Sequence, residues 1–271
     1  MQFAYFTKHW PNSSVEDLVR LARDIGADGL DLAVRAGQAV SPQNVTKALP
    51  AAVRTCRSSG TCVSMVTMET KPTDPKDPAV EAIFAACGQA GIKCIKPGYF
   101  LHQAGTDYWA EVDRLRGVLE ELGRLAARHG VVVCYHTHSG PFYGSNAAGL
   151  MHLLRGQDPD VLGAYIDVGH LVLNGEDFPL ALDMVRDHLR LVGVKSAIWE
   201  PRLEGGRKLW KPKFVPLSEG LVDCKQMMSE LARVGFDGVL AFHGEAEVPA
   251  EQLPAVLRDE IACCRQLLQR K

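Results

Sequence analysis

The sequence predicts a (β/α)8 barrel, and three observations predict it. Eight short apolar or β-branched runs alternate with longer stretches of helical periodicity, at residues 2–7, 29–34, 62–67, 92–96, 131–136, 164–167, 189–195 and 238–243. Several are continuous rather than alternating, as parallel strands covered on both faces require. Sharing 271 residues among eight strand–helix units gives about 34 each, close to the usual size of such a barrel. The rival, an open doubly wound sheet for a dinucleotide, lacks a Gly-x-Gly-x-x-Gly turn after its first strand.

The first helix follows Ser13-Ser14, a serine cap with acidic residues Glu16 and Asp17 in the first turn. Residues 108–128 repeat the helical period over several turns, and 254–268 repeat it at the end. Three helix-to-strand joints share a form: Ile25-Gly26-Ala27-Asp28-Gly29, Ala90-Gly91-Ile92 and Val234-Gly235-Phe236-Asp237-Gly238. Each glycine suits the left-handed residue that ends a helix. No low-complexity segment or linker interrupts the pattern, so residues 1–271 read as one domain.

Hydrophobic residues make up 46% and charged residues 23%, which excludes disorder and collagen-like structure. Thirty Lys+Arg against 32 Asp+Glu leave a net charge of −2, without the basic excess of a phosphate-gripping nucleic-acid binder. No run reaches the ~20 apolar residues needed to cross a bilayer. The opening Met1-Gln2-Phe3-Ala4-Tyr5-Phe6 has neither charged leader nor long apolar core, so a cytoplasmic protein is expected. Eight cysteines contain no Cys-x-x-Cys, and most sit in apolar stretches. They read as small hydrophobes of a reduced compartment rather than as a disulfide or zinc framework.

In such a barrel, chemistry collects at the C-terminal ends of the strands, and residues of one parity share a face. The fifth strand ends Tyr135-His136-Thr137-His138, placing two histidines toward the mouth as ligands or bases. The sixth ends Tyr165-Ile166-Asp167-Val168-Gly169-His170. A carboxylate there needs a partner, a metal or a helix to cap, and the glycine returns His170 over the same mouth. The seventh offers Lys195, as oxyanion binder, base, or partner of Glu245 or Asp167. The eighth ends with His243 and Glu245 at equal parity. In the first half, Arg35, Glu69, Lys96 and Tyr99 stand at strand ends, and Arg35 and Lys96 suit a carboxylate or phosphate of a substrate. Trp10, Trp109 and Trp199 serve either packing or a sugar-stacking wall.

These pieces, in this order, resemble the sugar phosphate isomerase/epimerase family with the xylose-isomerase-like barrel. That group also holds hydroxypyruvate isomerase, ketose 3-epimerases, inosose dehydratase and endonuclease IV. The resemblance spans nearly the whole chain. It runs from Gly26-Ala27-Asp28-Gly29-Leu30-Asp31-Leu32 through Asp167-Val168-Gly169-His170 and Pro216-Leu217-Ser218-Glu219-Gly220-Leu221-Val222-Asp223 to Gly235-Phe236-Asp237-Gly238.

The resemblance implies a divalent metal held by Glu, Asp, His and Glu of the fifth to eighth strands. Here Asp167 is kept, His136 and His243 take the two glutamate positions, and Gly193 takes the histidine position. Lys195 is kept, while the aspartate beside it is Ser196. His136, Asp167 and His243 remain as ligands, a set suited to Zn²⁺, Mn²⁺, Fe²⁺ or Ni²⁺ better than to Mg²⁺. Lys195 opposes a metal: at about 6 Å from a dication it is repelled by about 5–6 kcal/mol before compensation. The resemblance further implies proton transfer through an enediolate, with Glu245 or a histidine (His138 or His170 among them) replacing the lost glutamates and Lys195 or the metal on the oxyanion. Arg35, Lys96, Tyr99 and Trp199 would bind substrate.

The leading expectation is thus a metal-assisted isomerase or epimerase of a small ketose or related hydroxy-carbonyl sugar, with no nucleic-acid or membrane partner and a homo-oligomer open. A non-catalytic carbohydrate-binding barrel with a degenerate metal site is the alternative. An endonuclease IV-like phosphodiesterase is disfavoured by the charge and by Gly193.

Overall fold

The structure, a computed structural model, describes residues 1–269. Its strands in chain order are β1 Gln2–Phe6, β2 Gly29–Ala33, β3 Cys62–Thr67, β4 Cys94–Lys96, β5 Val132–His136, β6 Leu162–Asp167, β7 Leu189–Val194, β8 Ser196–Glu204, β9 Arg207–Val215 and β10 Val239–Phe242. Eight of them close a parallel barrel in the order β1-β10-β7-β6-β5-β4-β3-β2. The remaining pair, β8 and β9, forms a separate antiparallel hairpin. The α-helices are α1 Val15–Ile25, α2 Val45–Ser58, α3 Pro78–Ala90, α4 Tyr108–His129, α5 Ala147–Leu154, α6 Val168–Leu173, α7 Phe178–Val185, α8 Cys224–Arg233 and α9 Leu253–Gln269. No helix among the described residues is long and apolar enough to cross a membrane, and no disulfide joins the cysteines among the described residues.

The barrel strands fall where the sequence predicts, with ends shifted by one or two residues. The shifts have a cause. Ile92 and Val131 begin apolar runs but donate their N–H groups back to the carbonyls of Cys87 and Ala126 at 2.9 and 3.1 Å. They complete Schellman closures after Gly91 and Gly130, whose φ angles are 78° and 65°. The apolar run therefore closes a helix before it opens a strand. At the first helix, Ser14 and Asp17 cap each other reciprocally, as the serine and acidic turn predict.

Strand parity divides the interior into two levels. A lower apolar plug consists of Ala4, Met65, Cys134, Tyr165, Leu191, Val239 and Ala241. Two residues further along the same strands, the inward direction presents Phe6, Thr67, His136, Asp167, Gly193 and His243. On β2 and β4 the matching positions are Asp31 and Lys96, both buried. The plug excludes water from below, and the polar level begins directly above it.

Glu260 of α9 ties down the loop that leads into α8, its Oε1 accepting the Leu217 N–H at 3.1 Å. Burial raises its carboxyl from the ordinary 4.5 to about 7. The native chain thus holds this proton more tightly than the unfolded one, so the stability from this group is full below pH 4.5 and declines as pH rises through 7. Glu260→Gln keeps the acceptor and removes the titration. It should melt like the parent near pH 5 and above it near pH 8, by at most about 3 kcal/mol. A gap of equal size at both pH values, measured by thermal denaturation, would contradict this.

Candidate functional site

The mouth is built around Asp167, which is completely buried. It ends β6 and caps α6: Oδ1 accepts the His170 N–H at 3.1 Å, while its own N–H donates to Thr137 Oγ1 at 2.8 Å. The capping role weighed from the sequence is therefore real, and it uses only one carboxylate oxygen. The other, Oδ2, faces three nitrogens: His243 Nδ1 at 3.0 Å, Lys195 Nζ at 3.3 Å and His136 Nε2 at 3.4 Å. None has hydrogen-bond geometry to it, and Oδ2 and His136 Nε2 are both buried without a hydrogen-bond partner. Burial opposes ionisation of Asp167, but Lys195 above all holds its carboxyl well below the usual range.

Two glycines make room for this arrangement. A Cβ on Gly193 would stand 2.9 Å from Asp167 Oδ2 and 3.1 Å from its Cβ and Cγ, so the carboxylate occupies the space a side chain there would need. A Cβ on Gly169 would stand 2.6 Å from Lys195 Cγ and 3.0 Å from its carbonyl oxygen. The absent seventh-strand histidine and the Asp167 position are thus one structural fact.

Lys195 is buried and fully engaged. Its ammonium donates to Glu245 Oε2 at 2.5 Å, lies 2.9 Å from His170 Nε2, and sits 4.5 Å from the centroid of the Phe214 ring. Burial lowers its pKa, yet Asp167 and Glu245 raise it further, so it stays charged. Glu245 is also bound by Lys8 at the end of β1. Burial raises Glu245 while the two lysines hold it well below the carboxylate range. It is a paired anion, poorly suited to take a proton.

His136, His138 and His170 bring their rings together in the neutral form. His170 passes from Lys195 to Ser139 Oγ, 2.8 Å from Nδ1, and its ring lies 4.1 Å from that of His138. Burial, then Lys195, lowers its pKa well below 6.5. Burial lowers His136 likewise and brings His138 down to about 4. His138 Nδ1 lies 2.9 Å from the Ser139 carbonyl; as donor there, it leaves Nε2 with the lone pair on a half-buried ring. His243 Nε2 is 2.7 Å from the Tyr165 hydroxyl, which fixes the ring with Nδ1 toward Asp167.

The first half of the barrel contributes a second polar group. Lys96 Nζ lies 3.4 Å from the Tyr99 ring centroid and Tyr99 Oη is 3.4 Å from His136 Nδ1. Asp31 Oδ1 accepts from Thr67 Oγ1 at 2.6 Å. Lys96 Nζ and Asp31 Oδ2 are buried without hydrogen-bond partners. Burial pushes Lys96 well below its usual range and Asp31 up to about 6. Arg35 lies half-buried nearby, its Nε donating to the Met68 carbonyl at 2.9 Å.

The structure thus gathers His136, His138, Asp167, His170, Lys195, His243 and Glu245 into one contact network, with Lys96 and Tyr99 on its flank. Trp199 is not part of it. It stands on β8, 44% exposed, farther along the hairpin face that it shares with Phe214. The aromatic ring that does border the network is Phe214 of β9, 5.8 Å from the His170 ring and edge-on to it. Sequence reading also passed over Tyr165, Lys8, Asp31 and Ser139. Tyr165 was recoverable, since it shares parity with Asp167.

The metal that the family resemblance implies has a credible seat. His136, Asp167 and His243 each offer a ligand atom, all within 4.8 Å of one another. Two of those residues hold orphaned buried atoms that an ion would satisfy, and the third is oriented from behind by Tyr165.

Comparison with known proteins agrees with this architecture. The 3-keto-D-glucoside 4-epimerase of E. coli, in its apo form, superposes with a TM-score of 0.74 at 16% identity, covering 98% of this chain and 99% of that one. A xylose isomerase-like TIM barrel protein from Mycobacterium smegmatis in complex with magnesium gives 0.72 at 15% identity, covering 98% and 96%. Inosose dehydratase of Geobacillus thermodenitrificans is 29% identical over 157 residues, 54% of this chain and 49% of that protein. The chain spans about half the length of the curated relatives it matches. The model of the xylose isomerase-like TIM barrel family matches residues 19–267, and to that family the chain belongs.

Proposed function

We propose that this protein is a metal-assisted isomerase or epimerase of a small ketose or related hydroxy-carbonyl sugar, moving a proton at the carbon beside the carbonyl. The observation that carries the reading is the pair of orphaned atoms, His136 Nε2 and Asp167 Oδ2, in a three-residue cluster with His243. Two imidazoles and one carboxylate suit Zn²⁺, Mn²⁺, Fe²⁺ or Ni²⁺. A divalent ion held there would polarise the substrate carbonyl and stabilise negative charge developing on its oxygen.

The chain's own residues supply the rest. His138, neutral with its lone pair on a half-buried Nε2, is the base best placed to take and return a proton. Lys195 keeps a fixed positive charge at the mouth, and its hydrogen bonds to Glu245 and His170 hold that charge in place. Asp167 and Glu245 together balance Lys195 and Lys8, so a bound dication would leave an excess of positive charge, the condition an anionic enediolate needs. Lys96 Nζ and Asp31 Oδ2, buried and unpartnered, are suited to bind substrate hydroxyls across the mouth.

The activities of these similar proteins are compatible with this step. A 4-epimerase of a 3-keto sugar works beside a carbonyl, and a dehydratase of a hydroxy-carbonyl compound can start from the same proton. Epimerisation returns the proton, whereas dehydration expels a hydroxyl. A second reading, the non-catalytic sugar-binding barrel, is favoured by one observation: Lys195 already supplies Asp167 with a counter-charge at 3.3 Å.

Protein purified without chelator should carry close to one divalent ion per chain by elemental analysis. Asp167→Asn and His136→Ala should abolish this, and Tyr165→Phe should weaken it about tenfold. Metal-free parent protein that binds no added Zn²⁺ or Mn²⁺ would leave the non-catalytic reading.

Incubation with a panel of ketoses and keto-sugars in deuterated water should give deuterium incorporation without loss of water, read by mass spectrometry. His138→Gln should slow it by about 10²–10⁴. Absence of exchange at full metal occupancy with every sugar would sink the isomerase reading, and loss of water in its place would make the enzyme a dehydratase.

Gly193→Ala should displace the Asp167 carboxylate and lower metal affinity without removing any ligand. An unchanged binding isotherm would show that the site tolerates a shift of that carboxylate.

A further inference from the structure

Two cations on the first half of the mouth lack an anion. Lys96 ends β4 with only 2% of its surface exposed, and its enclosed Nζ has no hydrogen-bond partner. An ammonium carries three donors, and burying it without acceptors is costly. What it does touch is the Tyr99 ring, whose centroid lies 3.4 Å away and whose electron-rich face is a weak substitute for a negative charge. Arg35, just beyond β2, is half-buried. Its Nε donates to the Met68 carbonyl at 2.9 Å and its Cζ lies 5.1 Å from the Phe6 ring centroid. Its two terminal nitrogens meet no acceptor among the described residues.

One residue anchors both cations. The Met68 N–H donates to the Lys96 carbonyl at 2.9 Å, while the Met68 carbonyl takes Arg35 Nε. The pair thus flanks one short stretch of chain after β3. They stand close enough that burial first, and Arg35 next, push Lys96 below its usual range.

The carboxylates at hand are committed elsewhere. Asp31 Oδ1 accepts from Thr67 Oγ1 at 2.6 Å, and burial raises Asp31 to about 6 against the pull of both cations, whereas a true counter-ion is held low. Glu69 Oε1 accepts the Ala36 N–H at 2.9 Å. Neither makes an ion pair with Arg35 or Lys96 among the described residues. In the second half of the barrel, Asp167 and Glu245 are matched by Lys195 and Lys8.

We propose that Arg35 and Lys96 form a carboxylate subsite, so that the substrate is an acidic sugar, a hydroxy-carbonyl compound whose terminal carbon is a carboxylate. This rests on the isomerase reading above and names one group on the same substrate: Lys96 meets an oxidised terminus in place of a hydroxyl. The donors match it. A guanidinium presents a planar fork and Lys96 a single charged donor, which suits two coplanar oxygens in a confined place. A phosphate, with three oxygens and nearly two charges, asks for more donors and more room than the enclosed Nζ offers. Tyr99 sets the distance, with its ring on Lys96 and its hydroxyl 3.4 Å from His136 Nδ1. A carbonyl at the His136–Asp167–His243 cluster and a carboxylate at Lys96 therefore lie about one side chain apart, the reach of a few sugar carbons. Asp31 Oδ2, unpartnered, is left for a hydroxyl of the same chain.

Isothermal titration with sugars that differ only at the terminal carbon tests this. The pairs are D-fructuronate against D-fructose and D-tagaturonate against D-tagatose, with the 6-phosphates of both ketoses as the phosphate arm. At least one acid should bind about tenfold or more tightly than its neutral partner, and more tightly than the matching phosphate. Arg35→Gln and Lys96→Met should each cut that acid-to-neutral ratio about tenfold. Circular dichroism reports whether Lys96→Met folds, and Arg35→Gln, at a half-buried position, carries the test where it does not. Absence of any acid preference, a tighter phosphate ester, or a preference that Arg35→Gln leaves standing overturns the proposal. Binding is read without turnover, so the two readings fail separately. Protein that prefers an acid but exchanges no deuterium loses the isomerase reading alone; protein that exchanges deuterium into ketoses without preferring an acid loses the carboxylate subsite alone.

Discussion

A carboxylate with no exposed surface, Asp167, is the constraint on which the rest of the mouth depends. An ionised carboxylate in a dry interior persists only where charge and hydrogen bonds replace water. Here one oxygen is absorbed by the N-terminus of α6 and the other by the field of Lys195 and two imidazoles. From that requirement follow the glycines at 169 and 193, which leave space for the lysine and the carboxylate. Glu245 and Lys8 follow too, since a buried ammonium beside one buried anion is steadied by a second anion and a second cation. The site is a balanced set of charges, and a change to one member disturbs the others.

Much of this was legible in the chain because a barrel strand imposes a period of two on anything it points inward. His136, Asp167 and His243 stand at the same height because each follows an apolar inward residue by two positions: Cys134, Tyr165 and Ala241. Parity also placed Lys195 and Glu245 toward the centre, where the structure finds them paired. What parity does not carry is depth or orientation. It gave no sign that Asp167 divides its oxygens between a helix cap and the cluster, nor that Lys8, outside any β-branched run, reaches Glu245.

The hairpin was missed for a different physical reason. Strand recognition from sequence rests on apolar or β-branched runs, and β8 and β9 alternate tryptophan, proline and leucine with charged residues around Gly205-Gly206. Two prolines argue against a strand inside a sheet, but not against an isolated ladder with two open edges. The consequence reaches the site itself: Lys195 is followed at once by β8, and Phe214 of β9 returns beneath its ammonium. Trp199, four residues beyond the lysine and on the same hairpin face as Phe214, lies farther out along β8 and is exposed.

The presence of His136 and His243, where the family resemblance implies glutamates, is best understood through Lys195. With carboxylates at all three positions the mouth would hold Asp167, Glu245 and two further anions against Lys195 and Lys8, a net −2 that a dication would cancel. With imidazoles in their place the fixed charges of Asp167, Glu245, Lys195 and Lys8 cancel without it, so an ion at the same place would carry its full charge into the site. An ion held by fewer anions withdraws electrons more strongly from a carbonyl and binds less tightly. The same residues would therefore strengthen the polarising role of an ion held there and weaken its retention, and the buried Tyr165 behind His243, with the plug beneath it, would supply by orientation part of the hold that charge gives up.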